Sequence, residues 1–575
     1  MTEPHAHEHD RWGEATAFLE RVGAHWLDFI LLIGLVGVVF GLLSLAGEWR
    51  TLHPHVEIDL SPRALPLYAF YSLSRGLLAY ALSLLFTLTY GYWAAKDAMA
   101  ERVLVPLLDI LQSIPVLGFM PGLVLALVAL FPRSNAGLEL ASVIMIFTGQ
   151  AWNMTFSFYH SLRSIPKDQI EAATVYRFDW WQRLKWVELP FATIGLVWNS
   201  MMSMAGGWFF LMISEAFILG QKDFRLPGIG SYMSVAVARD DVPAMLWAIL
   251  AMVLMIVLLD QLLWRPVVVW SQKFRVEEGG EEGPVASSWF YDWLQRSRVI
   301  EWIFGALQSL RPKRVHELHP KPKAERSSKT FSIVLFAILV VGLAFGAWRL
   351  FELLRHMTWR ELPPILRACG WTLGRVLVST ALGTLWTLPA GLAIGLSPRL
   401  SRIFQPLVQI AASFPAPMLF PLVIALLHAA GVSLGWGSVV LMLLGTQWYI
   451  LFNVIAGATS IPGDLREMAR SYRMSLRLRF QSLYLPAVFP YLVTGWVTAA
   501  GGAWNASIVA EYVNFNGEIM TANGLGAQIS RAAEAADFPR LAASVAVMAA
   551  VVVLFNRTVW RRFYELAEER FSLSK

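Results

Sequence analysis

The chain has 575 residues, of which 56% are hydrophobic and only 15% charged, with a mean hydropathy of +0.52 and a formal net charge of +6. A soluble chain of this length needs a larger charged surface, so the composition excludes an ordinary soluble protein and points to a membrane protein. The modest basic balance fits positively charged loops on one side of a bilayer better than nucleic-acid binding, and a single cysteine, Cys369, excludes an internal disulfide and a thiolate metal site.

In chain order, residues 1–25 read as a cytoplasmic tail. His5, His7 and His9 lie in it and are read as solvated rather than as metal ligands. The first apolar run, near 26–46, has a small-residue end, Ser44-Leu45-Ala46, that resembles a cleavage site. Its length of about 20 residues suits a membrane span better than a signal core, so it is expected to be a retained helix. Further apolar runs lie near 66–95, 103–131, 137–160, 191–219 and 243–268, and then near 330–350, 368–396, 403–429, 433–456, 487–512 and 539–559. Backbone groups in lipid must be satisfied within the segment, so these runs are expected to be helices, about twelve in all. The fold class is therefore all-α and polytopic.

Residues 271–329 form a polar linker between two blocks, 26–270 and 330–575. Within it Trp289, Trp293, Ile300, Phe304 and Leu307 recur at helical spacing. Such a helix can lie on the bilayer or pack on the protein's own core. The linker and the loops holding Lys96, Arg102, Arg399 and Arg402 are basic, which places both termini and the linker in the cytoplasm.

The two blocks can be laid on each other. Ser113-Ile114-Pro115 and Pro121 match Ser413-Phe414-Pro415 and Pro421. Beyond a short length difference near Pro132, one shift of 296 positions holds. It carries Trp152 onto Trp448, Glu171 onto Glu467, Gly206 onto Gly502, Trp208 onto Trp504 and Glu215 onto Glu511. The same shift aligns Gly228-Ile229-Gly230 with Gly524-Leu525-Gly526. Parallel repeats of six helices imply a pseudo-twofold axis along the membrane normal, with a pathway between the halves.

The segment Glu171 to Pro190 is polar and basic between apolar runs, and so is its partner, Glu467 to Pro486. Each can fold into two short helices that project as a knob. The pattern Glu-Ala-Ala, three residues, Gly, nine residues, an aliphatic, one residue and Leu-Pro resembles that of permeases of binding-protein-dependent ABC importers. Glu171, Ala172, Ala173, Tyr176, Arg177, Leu189 and Pro190 stand on that pattern, as do Glu467, Met468, Ala469, Tyr472, Arg473, Leu485 and Pro486. Arginine replaces the family's glycine at 177 and 473. Arginine disfavours a left-handed turn, so a different knob shape is expected there. The two arginines either pair with acidic residues of a partner ATPase or are solvated.

The resemblance implies two permease domains fused in one chain, with the type I ABC importer permease fold. It implies no bound cofactor and no catalysis by this chain. ATP and Mg would be used by two separate ABC ATPase domains at the cytoplasmic face, and no phosphate loop of the G-x-x-x-x-G-K type occurs here. A periplasmic or lipid-anchored substrate-binding protein would deliver the solute, and the location would be a bacterial inner membrane. Nucleic acid is not an expected partner.

Two clusters fit the branch that resembles nitrate, sulfonate, taurine and bicarbonate permeases. Pro115, Pro121, Pro415 and Pro421 can bend helices at a cavity wall or gate. Trp152, Gly206, Trp208, Glu215, Trp448, Gly502, Trp504, Asn505 and Glu511 are candidates for a pathway or gate. The glutamates are expected to serve structure or gating, paired with Arg225 or Arg531. Asn505 and Ser507 stand where the first repeat has Phe209 and Leu211, so the two walls are expected to be unequal. The outer stretches 220–242 and 513–538 are expected to be short helices that meet the binding protein or gate the pathway. A fused iron(III)- or phosphate-type permease is the nearest alternative. An ion-coupled secondary transporter would leave the knobs idle. A membrane enzyme would want clustered ligands, whereas His160, His356 and His428 are scattered.

Overall fold

The computed structural model describes residues 57–113, 115–219, 222–274, 288–295, 329–515 and 518–571. The first expected helix, the His5–His9 tail and Ile300, Phe304 and Leu307 of the linker lie outside these residues. The chain divides into two compact units. One holds described residues 161–198, 257–274 and 288–295, and the other holds those within 57–160, 199–256 and 329–571.

The first block runs α1 (Leu65–Lys96), α2 (Ala98–Ser113), α3 (Val116–Leu130), α4 (Ala136–Arg163), α5 (Lys167–Val175) and α6 (Trp180–Glu215). A hairpin of β1 (Ala216–Leu219) and β2 (Lys222–Arg225) follows, then α7 (Ile229–Ala238) and α8 (Val242–Phe274). The linker contributes α9 (Trp289–Gln295), and α10 (Lys329–Leu354) precedes the second block. That block runs α11 (Leu362–Leu396), α12 (Pro398–Ser413), α13 (Ala416–Ala429), α14 (Leu434–Thr459), α15 (Gly463–Ser471) and α16 (Leu476–Ala510). It closes with β3 (Tyr512–Phe515), β4 (Glu518–Thr521), α17 (Leu525–Glu534) and α18 (Phe538–Phe571). From α1 and from α11 onward, the two blocks repeat one element order.

Among the described residues, seven helices are long and apolar enough to cross a membrane, or eight if the bent pair α12–α13 counts as one. The bend is 81° and falls at Phe414-Pro415. Proline there forces the preceding residue out of the helical region, and Phe414 is extended with ψ 127°. Pro115 stands at the matching position as the extended N-cap of α3, with ψ 119°.

The all-helical expectation needs one correction, the two antiparallel hairpins. Phe217 pairs with Phe224 in the first and Val513 with Met520 in the second. Asn516-Gly517 lies between β3 and β4 in the sequence, and this dipeptide is a strong hairpin signal.

Wide π turns interrupt the long helices at Leu184–Glu188, Asp260–Trp264, Phe480–Tyr484 and Asn556–Trp560, and one more lies in α1 at Thr87–Gly91. In the first and third, the N–H of Leu189 or Leu485 reaches back to the carbonyl of Leu184 or Phe480. The next residue is Pro190 or Pro486, which has no N–H and whose ring would clash with the carbonyl four residues earlier in a regular helix. The widened turn accommodates the Leu-Pro that ends each of the segments Glu171 to Pro190 and Glu467 to Pro486.

In the larger unit α11, α14 and α16 meet over a core that includes Ile450, Val454, Ala458, Val488 and Leu492. Small residues set the approach. A Cβ on Gly391 would stand 2.6 Å from Val454, and one on Gly457 would stand 2.9 Å from the Tyr491 ring. In the smaller unit α9 packs on α8, where Trp289 Nε1 donates to Gln261 Oε1 at 3.3 Å. Of the two settings open to the linker helix, this described part has its own protein as neighbour.

Candidate functional site

Each knob is a helix, a reversal and a short second helix. In the first, α5 ends in a Schellman arrangement: the N–H of Phe178 donates to Ala173 O at 2.9 Å and that of Arg177 to Thr174 O at 3.0 Å. In the second, Met474 donates to Ala469 O at 3.1 Å and Arg473 to Arg470 O at 2.9 Å. The residue at the reversal must be left-handed, and the two arginines take that conformation, with φ 54° at Arg177 and 47° at Arg473. The expected change of knob shape is therefore not seen. Arginine adopts the glycine's backbone geometry, at a cost of roughly 1–2 kcal/mol for an L-residue.

The next helix starts with a cap in both knobs. Asp179 Oδ1 accepts from Gln182 N at 2.7 Å, and the Gln182 side chain returns the bond to Asp179 N at 2.9 Å. Ser475 Oγ accepts from Leu478 N at 3.3 Å. The residues of the motif separate by position. Ala173 and Ala469 are buried, at the foot of each reversal, while Glu171, Ala172, Glu467 and Met468 are exposed. Tyr176 and Tyr472 stand out at 76% and 79% exposure. Leu189, Pro190, Leu485 and Pro486 are half-buried at the head of the following helices.

The two glutamates at the outer ends of α6 and α16 lie in matching clasps. Glu215 Oε1 accepts from Arg75 Nη1 at 2.8 Å and Ser72 Oγ at 2.6 Å, and its Oε2 from the Gly230 N–H at 2.7 Å. Glu511 Oε1 accepts from Arg375 Nη1 at 2.7 Å and Thr372 Oγ1 at 2.9 Å, and its Oε2 from the Gly526 N–H at 2.9 Å. The partners expected for them, Arg225 and Arg531, are not the ones used. Ser72 and Thr372 also accept from the first N–H groups of α7 and α17, at Ile229 and Leu525, at 3.0 and 2.8 Å. Arg75 and Arg375 bind the carbonyls of Pro227 and Asn523 at 2.7 and 3.0 Å.

This explains the Gly-x-Gly matches. A Cβ on Gly228 or Gly524 would stand 2.3 or 2.1 Å from the carboxyl group, so only glycine lets the backbone close over it. The clasps differ in one place. Arg75 also forms a two-point bond with Glu139, at 2.6 and 2.7 Å. The matching position is Gly435, and Arg375 Nε donates to its carbonyl at 3.1 Å instead. Sequence reading missed Arg75, Arg375 and Glu139, although a charge inside an apolar run is itself a signal of a buried partner.

The remaining pathway candidates split. Gly206, Gly502, Asn505 and Pro415 line a cavity of about 70 Å³ shared by residues of both repeats. Asn505 Oδ1 accepts from the Val116 N–H at 2.8 Å and so ties α16 to the head of α3, beside Pro115. Pro121 is buried within α3, and Pro421 opens the helical part of α13. Trp208 and Trp504 are 2% and 3% exposed and lie outside the lining of that cavity. Trp208 packs over Gly76, where a Cβ would stand 2.8 Å from the ring. Trp152 stacks edge-on with Phe86 and Phe147, and Trp448 with Trp386. Among the described residues no group of histidine, cysteine or carboxylate side chains could hold a metal ion.

The chain is similar to known transport proteins. It is 26% identical over 148 residues to the nitrate import permease protein NrtB of Synechococcus elongatus, which is 26% of this chain and 52% of the relative. It is 28% identical over 142 residues to the bicarbonate transport system permease protein CmpB of the same organism, 25% and 50% of the two chains. It is 24% identical over 185 residues to the taurine transport system permease protein TauC of Escherichia coli, 32% and 64% of the two. The chain thus spans about half the length of the first of these relatives. The family described as binding-protein-dependent transport system inner membrane component matches twice, over residues 87–263 and 383–572. The two matches fall one on each repeat and each includes a knob, and on that ground the chain belongs to this family of membrane transport components.

Proposed function

We propose that the chain is the whole membrane part of an ATP-driven importer that passes a small anion from a substrate-binding protein to the cytoplasm. Nitrate, a sulfonate, taurine and bicarbonate are the candidate solutes, in keeping with the printed names of its relatives. Two ABC ATPase domains on separate chains dock on the knobs at Glu171–Arg177 and Glu467–Arg473. Their closure on ATP draws the knobs together and opens a pathway between the halves. In this reading twelve helices form two parallel sets of six, in domains 26–270 and 330–575, with both termini cytoplasmic in a bacterial inner membrane. Pro115, Pro121, Gly206, Asn505, Pro415, Pro421 and Gly502 belong to the pathway or gate.

The observation that carries the reading is the knob itself. Its reversal, cap and π turn recur at a constant interval of 296 positions, from Arg177 to Arg473. A purely structural duplication has no need to keep Tyr176 and Tyr472 so far into solvent. The test is a pull-down with the full chain, followed by its reconstitution in liposomes with the ABC ATPase and binding protein recovered. ATP-dependent accumulation of a labelled anion is expected. Failure to recover an ATPase in pull-down, together with no ATP-dependent uptake, would sink the reading.

A further inference from the structure

The cavity that joins the repeats has two kinds of wall. One is aromatic, with Phe209 and Phe210 from the first repeat and Phe414 from the second. The other carries Tyr449 and Asn505, both from the second repeat. At the positions matching these two, the first repeat has Asn153 and Phe209. The polar side chains of the lining, Thr446, Tyr449 and Asn505, therefore come from the second repeat, while phenyl rings come from both.

The polar wall offers donors. Asn505 Oδ1 is occupied by the Val116 N–H, which fixes the amide so that its nitrogen end is the donor side. One of its two N–H groups meets Gly501 O at 3.2 Å, and the other remains for a ligand. Among the described residues no hydrogen-bond partner meets the Tyr449 hydroxyl, which stands 3.4 Å from where a Cβ on Gly206 would be. Thr446, also in the lining, spends its hydroxyl on Met442 O at 2.9 Å. Each of these two lining donors can meet an oxygen of an oxyanion head. No lysine or arginine is among the described lining residues, so a stripped inorganic anion would lose its hydration for too few donors. An organic anion compensates by covering the phenyl faces with its own apolar chain. The space, about 70 Å³, holds roughly five water molecules, which suits a chain of a few carbons.

We propose that this cavity is a subsite for an oxyanion head, sulfonate or carboxylate, carried on a short apolar chain, in preference to an inorganic anion. The proposal rests on the transport reading above and narrows its cargo.

The test is a calorimetric titration of the full chain in lipid nanodiscs, without binding protein, against butane-1-sulfonate, butyrate, nitrate and bicarbonate. At least tenfold tighter binding of butane-1-sulfonate or butyrate than of nitrate and bicarbonate is expected. Whichever of the two organic anions binds tighter identifies the head. Tyr449→Phe removes one hydroxyl without changing shape, and Phe209→Ala removes one aromatic face. Each is expected to weaken the organic anion about tenfold, a loss typical of a hydrogen bond to a charged group or a buried aromatic contact. Nitrate binding as tightly as the organic anions, binding unchanged in both variants, or no saturable binding would overturn the subsite. ATP-driven uptake measured in parallel separates the two levels. Nitrate uptake without organic-anion binding removes the subsite and leaves the transport reading standing, whereas absence of uptake of every anion removes the transport reading.

Discussion

Arg75 holds Glu215 at 2.8 Å in the first repeat, and the pair recurs as Arg375 and Glu511 at 2.7 Å in the second. Each pair ties the end of a long helix to the first long helix of its repeat and to the start of the short helix that follows the hairpin. The surroundings differ. Arg75 is 1% exposed and serves two carboxylates, whereas Arg375 is 10% exposed and serves one.

Breaking the first clasp is therefore expected to cost more than breaking the second. Arg75→Met leaves Glu139 and Glu215 buried without their cation, a loss of about 3–5 kcal/mol for a buried pair. Arg375→Met, with water nearer and one acid to leave behind, is expected to cost less. Thermal unfolding of the two variants in detergent checks the order, and equal losses would remove the asymmetry.

The glycines over the carboxylates are expected to resist even alanine. In Gly228→Ala and Gly524→Ala the new methyl meets the glutamate at well under contact distance, so the chain must shift at a cost of about 1–3 kcal/mol. Gly342 and Gly346, inside α10 with nothing within 4 Å, serve as controls in which alanine is not expected to lower the melting temperature.

The knob arginines give a prediction with two readouts. Arg177→Gly and Arg473→Gly relieve the left-handed strain and are expected to stabilise each reversal by about 1 kcal/mol. If the guanidinium groups meet acids on the ATPase, the same variants lose ATPase association, and Arg177→Glu with Arg473→Glu abolishes it. Melting temperature and co-purification measured together separate backbone from charge. Stable variants with undiminished association would show that both arginines are only solvated.

Asn505 is expected to matter for structure as well as cargo. Asn505→Leu leaves the Val116 N–H without its acceptor, costing about 1–3 kcal/mol if that group stays dry. Asn505→Asp keeps an acceptor and is expected to retain most of that stability in the same unfolding assay. A fully stable leucine variant would mean that water replaces the lost bond.

Much of this was legible before any coordinates. The interval of 296 positions shows in Trp, Pro, Gly and Glu residues, because these types fit special local geometry that a repeat must preserve. The knobs were legible for the same reason. Polar length between apolar runs has few uses, and both carry caps. The clasps were half legible. An acid inside an apolar stretch announces a buried partner, but Arg225, ten residues from Glu215, is the nearer arginine in sequence, and Arg75 lies 140 positions earlier. Contacts at that range depend on which helices meet, and one sequence does not say. The hairpins were missed because apolar length dominated the reading of 191–219 and 487–512, although Asn516-Gly517 was in plain view. The repeated Trp208 and Trp504 are both buried and lie outside the lining of the described cavity. Repetition shows that a residue is kept, and packing keeps residues as firmly as transport does.

One pair of wide turns shows what the two repeats share without a proline. At 260–264 the turn is followed by Pro266, but at 556–560 the matching residue is Arg562, and the turn is still there. Proline is therefore not what holds it open. A wide turn is a helix with one residue to spare, and the spare residue sits in the same register in both copies. At these sites the spare residue belongs to what the two repeats share, whereas the wide turn at Thr87–Gly91 stands in the first repeat and has no counterpart in α11. The divergence of Phe209 from Asn505 is the kind of freedom that two identical subunits lack and a joined pair gains.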